Sequence, residues 1–534
     1  MLPGFAMLRF LAAICLTVFA LSSFAQAAKP AEKARFDIYE YAVEGNSVLP
    51  AIAIEKAVYA FLGPGRSLDD IEAARVALEK AYQDAGYLTV LVEIPDQRVQ
   101  EGLVRLRVVE GNVEKLKITG SRYFSLGQIH AGTPSLAAGN VPQFTEVQQE
   151  LAQLSRTPDR RLNPVLRAGK KPGTVEVELQ VEDKLPLHGS LEWNNKRSPG
   201  TTTGRVEANL RYDNLWQRQH SLALGYITSP QDRREVKVLT ANYTLPVDRE
   251  KGTALALFGV FSDSNVPTVQ DSQVIGNGTS IGLRYIHPLP GSDRLYHSLS
   301  FGGDYKDFKE IRTLDQGRRP IKYSSLAFQY SGTALDSNGQ WQIGVGATFG
   351  LRSTGEYTVE DCDGVRKDQF DCKRAGAQSN FLAVRIDLAR QQALGSGWLL
   401  NARLNSQLAE QALISNEQFS AGGVASVRGY LDAERLGDKG VRASLEVETP
   451  SLFGEHWMQL NLLAFYDFAY LRTNQPLPGE AGSSRLAGTG LGLKLKGGKH
   501  WVLNAYGARA LRNGSEGNTR SGDTRVHANL AVEF

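Results

Sequence analysis

The chain has 534 residues, of which 42% are hydrophobic and 22% are charged, and its 60 Lys and Arg residues nearly balance 57 Asp and Glu residues. This composition excludes an intrinsically disordered chain, and the balanced charge argues against a strongly basic nucleic-acid-binding protein. The mean hydropathy of -0.28 is typical of a soluble protein. A membrane β-barrel gives a similar average, because its strands alternate lipid-facing apolar residues with lumen-facing polar residues.

The first segment of the chain predicts export. Arg9 precedes the apolar run 10–21, and a small-residue site follows at residues 25–27. We interpret residues 1–27 as a cleaved signal peptide. Cys15 lies inside the apolar run rather than at its end, which argues against a lipoprotein anchor. No other run approaches the roughly 18 apolar residues that a transmembrane helix needs.

Residues 36–184 combine helix signals with strand signals. The sequence Ser67-Leu68-Asp69-Asp70 is a capping box, and it predicts a helix that ends at Gly86. The expected apolar stripe of this helix is Ile71, Ala74, Val76, Leu78, Ala81 and Tyr82. A second helix is expected to open at Thr145.

Strand signals complete two similar α+β domains. The expected strands are 87–94 and 103–110 in the first domain, and 113–120, 163–169 and 174–181 in the second. We place the first domain at residues 36–111 and the second at 112–184, after a short segment at 28–35.

Residues 187–534 consist almost entirely of strand and turn signals. Sixteen segments with period-two alternation begin near residues 187, 204, 221, 235, 253, 280, 295, 323, 340, 380, 397, 439, 458, 485, 501 and 525. A soluble β-sandwich also alternates. The even count, the export signal, the terminal Phe534 and the alternation of short with long connections favour a 16-stranded antiparallel transmembrane β-barrel.

Two cysteines remain after the signal peptide. Cys362 and Cys372 are ten residues apart in a polar stretch. In an exported protein they are expected to form one loop-closing disulfide worth roughly 2–3 kcal/mol. The eight His residues show no spacing typical of a metal site, so we expect no bound metal. If the first barrel strand rises outward, the cysteines fall in the fifth external loop and residues 415–435 in the sixth.

Two motifs carry a resemblance to a known family. Val427-Arg428-Gly429-Tyr430 follows Phe419-Ser420-Ala421-Gly422-Gly423, and Phe465-Tyr466-Asp467-Phe468-Ala469 lies on the thirteenth strand. With the order of signal, two small domains and barrel, they resemble the two-partner-secretion transporters, the hemolysin secretion/activation family. The resemblance covers essentially the whole mature chain. The first motif is similar to the family's sixth-loop tip. The second is similar to its aromatic-x-Asp-x-Gly wall motif, with Ala469 replacing the glycine.

The resemblance implies that the sixth loop folds back into the lumen, where Arg428 pairs with Asp467 beside Phe465. An arginine fork and a carboxylate form charge-assisted hydrogen bonds, which are often bidentate. Gly429 would permit a sharp turn, and Tyr430 would provide a rigid amphipathic contact. The alternative is that Arg428 is a solvated loop charge and Asp467 merely faces the lumen.

The two α+β domains resemble polypeptide-transport-associated (POTRA) domains, which face the periplasm in this family. The resemblance implies an outer-membrane transporter of a Gram-negative bacterium. Its POTRA domains would recognise an unfolded exoprotein with an N-terminal secretion domain, and its barrel would secrete that exoprotein. Whether the exoprotein is also activated stays open. The alternative function is an insertase that assembles other outer-membrane proteins. Outer-membrane lipids, and the barrel assembly machinery during biogenesis, are further expected partners.

No enzyme site emerges from the sequence. Gly278-Thr279-Ser280-Ile281-Gly282 matches a nucleophile-elbow string, but a strand follows it instead of a helix. The lysine-rich stretch 494–499 has no Gly-Lys-Ser/Thr, so we expect no nucleotide, and we expect no cofactor or nucleic acid either.

The exoprotein-binding residues are not identifiable from the sequence. Pairing of an extended chain with an exposed strand edge is the expected route, with 113–120 and 174–181 as candidate edges. Many family members begin with a helix that plugs the pore. Residues 28–35 are too few for such a plug and its tether, so we expect the sixth loop to occlude the resting pore.

Overall fold

The computed structural model describes residues 35–99, 101–155, 157–248, 251–264, 268–270, 273–309, 320–362, 364–453, 458–476 and 478–534. The predicted signal peptide and residues 28–34 lie outside these ranges. Among the described residues, no helix is both long enough and apolar enough to cross a membrane. The chain divides into two compact units: residues up to 121 with 129–182, and residues 122–128 with 183–534.

The first α+β domain is built around one long helix. Its elements are β1 (Arg35–Ile38), β2 (Glu40–Glu44), α1 (Ala51–Val58), a 3-10 turn (Tyr59–Phe61), β3 (Gly63–Ser67), α2 (Leu68–Asp84), β4 (Leu91–Glu93) and β5 (Leu103–Val109). The Ser67 side chain accepts a hydrogen bond from the backbone N–H of Asp70, and the Asp70 carboxylate accepts one from the backbone N–H of Ser67. The predicted capping box therefore starts α2. Gly86, just after the helix, has a left-handed φ of +91°.

One position on the predicted stripe of α2 is wrong. Ile71, Ala74, Leu78 and Tyr82 are buried in one core with the strands of the domain, whereas Val76 is 48% exposed. At about 100° per residue, Val76 points about 140° away from Ile71 around the helix axis. It therefore lies outside the stripe that packs on the sheet.

The sheet of the first domain has the order β2-β5-β4, with β2 parallel and β4 antiparallel to β5, while β1 pairs separately with β3. Helix α1 has no counterpart in the sequence prediction. It begins after Pro50, and no side chain caps its first turn, so the usual start signal is absent.

The second α+β domain repeats this plan with fewer strands. Its elements are β6 (Asn112–Thr119), α3 (Leu126–Ala131), a 3-10 turn (Pro134–Leu136), α4 (Phe144–Leu154), β7 (Arg160–Ala168) and β8 (Thr174–Asp183). Helix α4 begins one residue before Thr145, and its cap is Gln143, whose side chain accepts from the backbone N–H of Glu146 at 2.7 Å. The backbone N–H of Phe144 donates to the carbonyl of Gly86 at 2.8 Å, which links the start of α4 to the end of α2.

The strand order of the second domain corrects one predicted edge. The sheet is β6-β8-β7, with β8 parallel to β6. Strand β8 lies in the middle of the sheet. The prediction that residues 174–181 form an exposed edge is therefore wrong. The edges are β6, which covers the other candidate at 113–120, and β7.

Residues 187–534 supply the remaining strands. They are β9 (Leu187–Asn194), β10 (Arg205–Leu215), β11 (His220–Thr228), β12 (Lys237–Asp248), β13 (Thr253–Ser262), β14 (Thr268–Gln270), β15 (Gln273–Ile275), β16 (Gly278–Pro288), β17 (Leu295–Phe308), β18 (Ile321–Asp336), β19 (Gly339–Gly350), β20 (Thr358–Cys362), β21 (Val365–Asp368), β22 (Leu382–Gly395), β23 (Trp398–Ala409), β24 (Phe419–Ala421), β25 (Arg435–Gly437), β26 (Lys439–Glu448), β27 (Met458–Arg472), β28 (Ser483–Gly497), β29 (Trp501–Ala510) and β30 (Thr524–Glu533). Two short helices, α5 (Arg352–Gly355) and α6 (Gln369–Lys373), and a 3-10 turn (Ser415–Glu417) lie in the connections.

Sixteen of these strands, counted within the described ranges, form a closed antiparallel barrel, as predicted. The pairs β14-β15, β20-β21 and β24-β25 lie outside the barrel ladder. Each barrel strand begins within two residues of its predicted start. The last strand, β30, pairs with the first, β9, and closes the ring.

Alternation along the strands separates the two barrel faces. On β27, Phe465 and Asp467 are buried on the inner face, whereas Leu462 and Tyr466 are 43% and 49% exposed on the outer face. Short connections, such as 337–338 and 396–397, alternate with long ones, such as 351–381 and 410–438. This pattern is typical of barrels with periplasmic turns and extracellular loops. We call 351–381 loop 5 and 410–438 loop 6.

Candidate functional site

Loop 6 folds inward and places its tip against the inner wall of the barrel. Strands β24 and β25 pair antiparallel, with Phe419 opposite Gly437. The residues between them form the tip, where Val427 and Tyr430 are fully buried and Arg428 is 2% exposed. Phe419, Ala421, Val427 and Tyr430 share an apolar cluster with wall residues of β27, β28 and β29. Side-chain burial therefore fixes the inserted loop.

Arg428 forms ion pairs with two carboxylates of the barrel wall. Its Nε and Nη2 donate to the two oxygens of Asp467 at 2.8 and 2.9 Å, and its backbone N–H donates to the same carboxylate at 3.0 Å. Its Nη1 donates to Glu446 on β26 at 2.8 Å. We call Arg428, Glu446 and Asp467 the tip anchor. Bidentate ion pairs of this kind fix both position and orientation.

Aromatic rings and a lysine complete the electrostatics of the tip anchor. The guanidinium carbon of Arg428 lies 3.5 Å from the ring centroid of Phe465 and 5.1 Å from that of Tyr506. Lys494 donates to Glu446 at 2.6 Å and to Glu448 at 2.7 Å. Burial by itself would lower the pKa of Arg428, but the carboxylates of Asp467 and Glu446 more than offset it and raise that pKa. Arg428 therefore stays charged.

The other two predicted tip residues also contact the wall. Gly429 has a φ of +97°, and its backbone N–H donates to Nε2 of His527 at 3.0 Å. The Tyr430 hydroxyl lies 2.8 Å from the carbonyl oxygen of Arg512 and accepts a hydrogen bond from the backbone N–H of Ala487. Val427, Arg428, Gly429 and Tyr430 are thus brought together with Phe465 and Asp467, in the arrangement that the resemblance implies. Their role in transport stays a prediction.

Gly488 is a wall residue whose contact with the tip the sequence did not reveal. It pairs directly with Asp467 across the strands, and a Cβ built on it would lie 2.0 Å from the carbonyl oxygen of Arg428. Any side chain at this position would displace the tip. The glycine run on β28 predicted only a smooth patch of wall, because nothing in the sequence marks which residue lies above it.

The base of loop 6 is tied to loop 5. The guanidinium of Arg374 makes a bidentate ion pair with the Asp438 carboxylate, which is fully buried. The same carboxylate accepts from the backbone N–H of Leu413 at 2.9 Å and of Asn474 at 2.6 Å. The sequence prediction missed this pair, because residues 64 positions apart in two loops share no periodic signal.

Cys362 and Cys372 form a disulfide in loop 5, with their Cα atoms 5.8 Å apart. The bond closes the β20-β21 hairpin onto α6. Because Arg374 follows Cys372 by two residues, the disulfide also restrains the segment that contacts Asp438. Both thiols are used in this bond, so they are not metal ligands.

A polar cavity remains between the inserted loop and the wall. It has a volume of about 460 Å³, and its lining includes Lys196, Thr240, Arg403, Ser426 and Arg442. The inner face is therefore polar and charged where loop 6 does not cover it. Loop 6 is thus held within a polar lumen by side-chain contacts that could be released.

Ser280, in the string that matches a nucleophile elbow, lies within strand β16.

Comparisons with known proteins agree with this architecture. The family model "Haemolysin secretion/activation protein ShlB/FhaC/HecB" matches residues 173–495, and the model "POTRA domain, ShlB-type" matches residues 36–111. The heme/hemopexin transporter protein HuxB of Haemophilus influenzae is 22% identical over 470 residues, which cover 85% of this chain and 79% of that protein.

Two solved structures share the fold. CdiB from Escherichia coli superposes with a TM-score of 0.63 at 18% identity, covering 96% of this chain and 93% of that chain. BamA from Haemophilus ducreyi lacking POTRA domains 1–3 superposes with a TM-score of 0.58 at 13% identity, covering 93% and 100%. The protein is thus an outer-membrane β-barrel preceded by POTRA architecture. With more than half of its length matched by the family model, the chain belongs to the haemolysin secretion/activation protein ShlB/FhaC/HecB family of two-partner-secretion transporters.

Proposed function

We propose that this protein receives one unfolded exoprotein at its POTRA domains and passes it through the barrel to the cell surface, without covalent chemistry. Family membership supports this function, and one structural observation carries it. A loop that side-chain contacts hold in place occupies part of the lumen. A loop held in this way can leave the lumen and return to it, whereas side chains of the barrel wall cannot.

The edges of the POTRA domains are the proposed entry point for the exoprotein. Strands β6 and β7 are the outer strands of the second sheet, and β2 and β4 those of the first. An edge strand presents unpaired backbone groups to which an extended chain can add as a further strand. Leu166 on β7 is 48% exposed and would supply an apolar contact beside that ladder. Backbone pairing suits a client that arrives unfolded, with no fixed side-chain surface.

Energy for export would come from the exoprotein itself. The sequence has no nucleotide-binding motif. An extended chain that folds after it emerges cannot slide back, so folding outside the cell would make export directional. A large repetitive β-protein, such as an adhesin or a cytolysin, fits this requirement.

The decisive experiment is a secretion assay. The gene is deleted from its host, and a large exported protein encoded beside it, with an N-terminal secretion domain, is followed by immunoblotting of medium, cell surface and periplasm. We expect that protein to leave the cell only when the transporter is restored. Export that continues without the transporter would contradict the proposal. Comparing the toxicity of material secreted by the cell with that of periplasmic material tests activation separately.

An insertase is the second candidate function, and one observation favours it. The pairing between β30 and β9 is registered over residues 529–533 and 190–194, and backbone hydrogen bonds extend it to Phe534 with Gly189 and to Ala528 with Asn195. Every other pair of barrel neighbours is registered over at least eight residues. A short ladder is the easiest place for a barrel to open sideways into the membrane. The likeness to BamA concerns the fold alone.

A further inference from the structure

A second buried ion pair holds loop 6 at a distant part of the wall. Lys306 on β17 donates from Nζ to Oε1 of Glu417 at 2.5 Å, and the Tyr323 hydroxyl on β18 donates to the same oxygen at 2.6 Å. Lys306 is 4% exposed and Glu417 is 2% exposed. We call Lys306, Tyr323 and Glu417 the stem anchor.

The stem anchor and the tip anchor attach loop 6 to different sides of the barrel wall. Strand β17 is the seventh barrel strand and β27, which carries Asp467, is the thirteenth, so the anchors stand six strands apart in a ring of sixteen. Loop 6 itself connects the eleventh and twelfth strands, β23 and β26. The loop is therefore stretched across the lumen between two fixed points.

The surroundings of Glu417 are built for a charged carboxylate. The ammonium group of Lys306 lies 5.6 Å from the ring centroid of Tyr323. Gln407 donates to the backbone carbonyl of Glu417 at 3.0 Å. Burial alone would raise the pKa of Glu417, but Lys306 and Arg385 beside it keep that pKa below its ordinary value. The Glu417 carboxylate is therefore ionised in the docked loop.

The stem anchor lies at the extracellular mouth. Lys306 is two residues before the end of β17, at the same end of the barrel as loops 5 and 6. Phe308, Ile321, Phe370 and Ile414 pack around Tyr323 in one apolar cluster that joins β17, β18, loop 5 and loop 6. Releasing Arg428 alone would leave the mouth covered.

We infer that Lys306 and Glu417 are positioning residues that determine whether the stem of loop 6 stays inside the lumen, and so set the resting conductance and the exit path of the exoprotein. The inference rests on the proposed function. It predicts that full opening requires release of both anchors. Removing one member of a buried ion pair leaves an uncompensated charge, which typically shifts a docking equilibrium by about a hundred-fold or more.

The first test measures conductance of the purified full-length protein in planar bilayers. Lys306→Met and Glu417→Gln should each raise the mean current at least about ten-fold over wild type, because each leaves one buried charge without its partner. The double variant should return towards the wild-type current, because neither charge remains. Lys322→Met is the matched control, since this lysine on β18 is 60% exposed and pairs with Asp307, and it should leave the current unchanged.

The second test measures access to loop 6 in intact cells. Asn416→Cys introduces a thiol next to Glu417 in the stem, where the native side chain is buried, so that a bulky membrane-impermeant maleimide reports release of the stem. Labelling should be at least about ten-fold faster in the Lys306→Met and Glu417→Gln backgrounds. If these variants do not assemble, Tyr323→Phe, which removes the hydroxyl that donates to Glu417 but leaves both charges, should give a smaller rise in both measurements.

Wild-type current and wild-type labelling in both single variants would overturn the inference, as would an equal rise in Lys322→Met or a double variant as leaky as the sum of its parents. None of these outcomes depends on an exoprotein. If no exoprotein is secreted by the wild type but the stem-anchor variants still leak, the proposed function is contradicted, whereas the role of the stem anchor in holding loop 6 is supported. If secretion occurs and the variants do not leak, the anchor fails alone.

Discussion

The guanidinium of Arg428 meets carboxylates from β26 and β27 and the faces of two aromatic rings, so a single side chain joins the loop tip to several strands. None of these partners is adjacent to it in sequence. The interaction holds a charged group where 2% of its surface is exposed, and burial of this kind is tolerated only when every charge is matched. The tip is therefore all-or-none in its docking.

Arg428→Ala and Asp467→Ala should each reduce export at least about ten-fold, because the first leaves Asp467 buried without its cation and the second removes the bidentate partner of Arg428, which then keeps only Glu446. The barrel should stay in the membrane and stay heat-modifiable on gels. The double variant should be little worse than either single variant, since both remove the same interaction. Arg472→Ala, at the exposed end of β27, is the control. Strictly additive losses would argue against a direct functional pair.

Gly488→Ala should also impair export, although it removes no charge. The new methyl group would lie 2.0 Å from the carbonyl oxygen of Arg428, so the tip must move away from Asp467. Gly507→Ala on β29 is a matched control, because a Cβ there has no atom within 4 Å. We expect trypsin to cleave loop 6 faster in Gly488→Ala than in Gly507→Ala. Equal protection of the two variants would contradict the close-approach argument.

For individual side chains, the sequence predicted the motif residues but few of their partners. Arg428 and Asp467 were recognisable because each sits in a short motif. Glu446, Lys494, Lys306 and Glu417 sit in no motif, and their contacts join strands far apart in the chain. Such pairs depend on how the strands are ordered around the ring, and residue spacing alone does not encode that order.

Loop 6 contains a hairpin, β24-β25, that pairs with no further strand. The β24-β25 ladder has three residue pairs, too few for a stable hairpin in water. Its shape is maintained by anchors at the tip, the stem and the base, and the base is held by loop 5. Movement of loop 6 is therefore coupled to loop 5 through Arg374 and Asp438.

The β9-β30 pairing separates the two candidate functions. Gly189 and Phe534 exchange both backbone hydrogen bonds, so Ser190 and Glu533 are the next, non-hydrogen-bonded pair, with Cα atoms expected about 4.5 Å apart. Ser190→Cys with Glu533→Cys should form a disulfide at this separation. A cross-linked transporter should secrete as well as wild type under the same oxidant. Secretion that stops on cross-linking and resumes on reduction would favour lateral opening, as an insertase requires.

Element prediction succeeded best where burial is periodic. Barrel strands contact lipid on one face and water on the other, so every strand carries a period of two, and all sixteen starts were found within two residues. The POTRA domains mix short strands with helices in a small core. There α1 lacks a capping side chain and α3 has only six residues, so neither left a clear pattern.

For the whole molecule, the resting state depends on what fills the lumen. Deleting residues 415–435 removes Glu417 and Arg428 together, and with them both the stem and the tip anchors. In planar bilayers the wild type should show a small leak, and the deletion variant a sharply larger current. Deleting residues 230–234, between β11 and β12, is the control and should leave the leak small. An unchanged trace in the loop 6 deletion would contradict occlusion by this loop.

The way in which the ring closes also constrains how the protein is made. Strand β9 must pair with β30, which includes Glu533, and a hydrogen bond from Ala528 to Asn195 joins residues 333 positions apart. The ring therefore cannot close until β30 has been synthesised. Until then the exposed edges of β9 and of each newest strand remain open to wrong partners. Biogenesis therefore has a single late step, and truncating even the last strand should leave a chain for periplasmic proteases rather than a smaller pore.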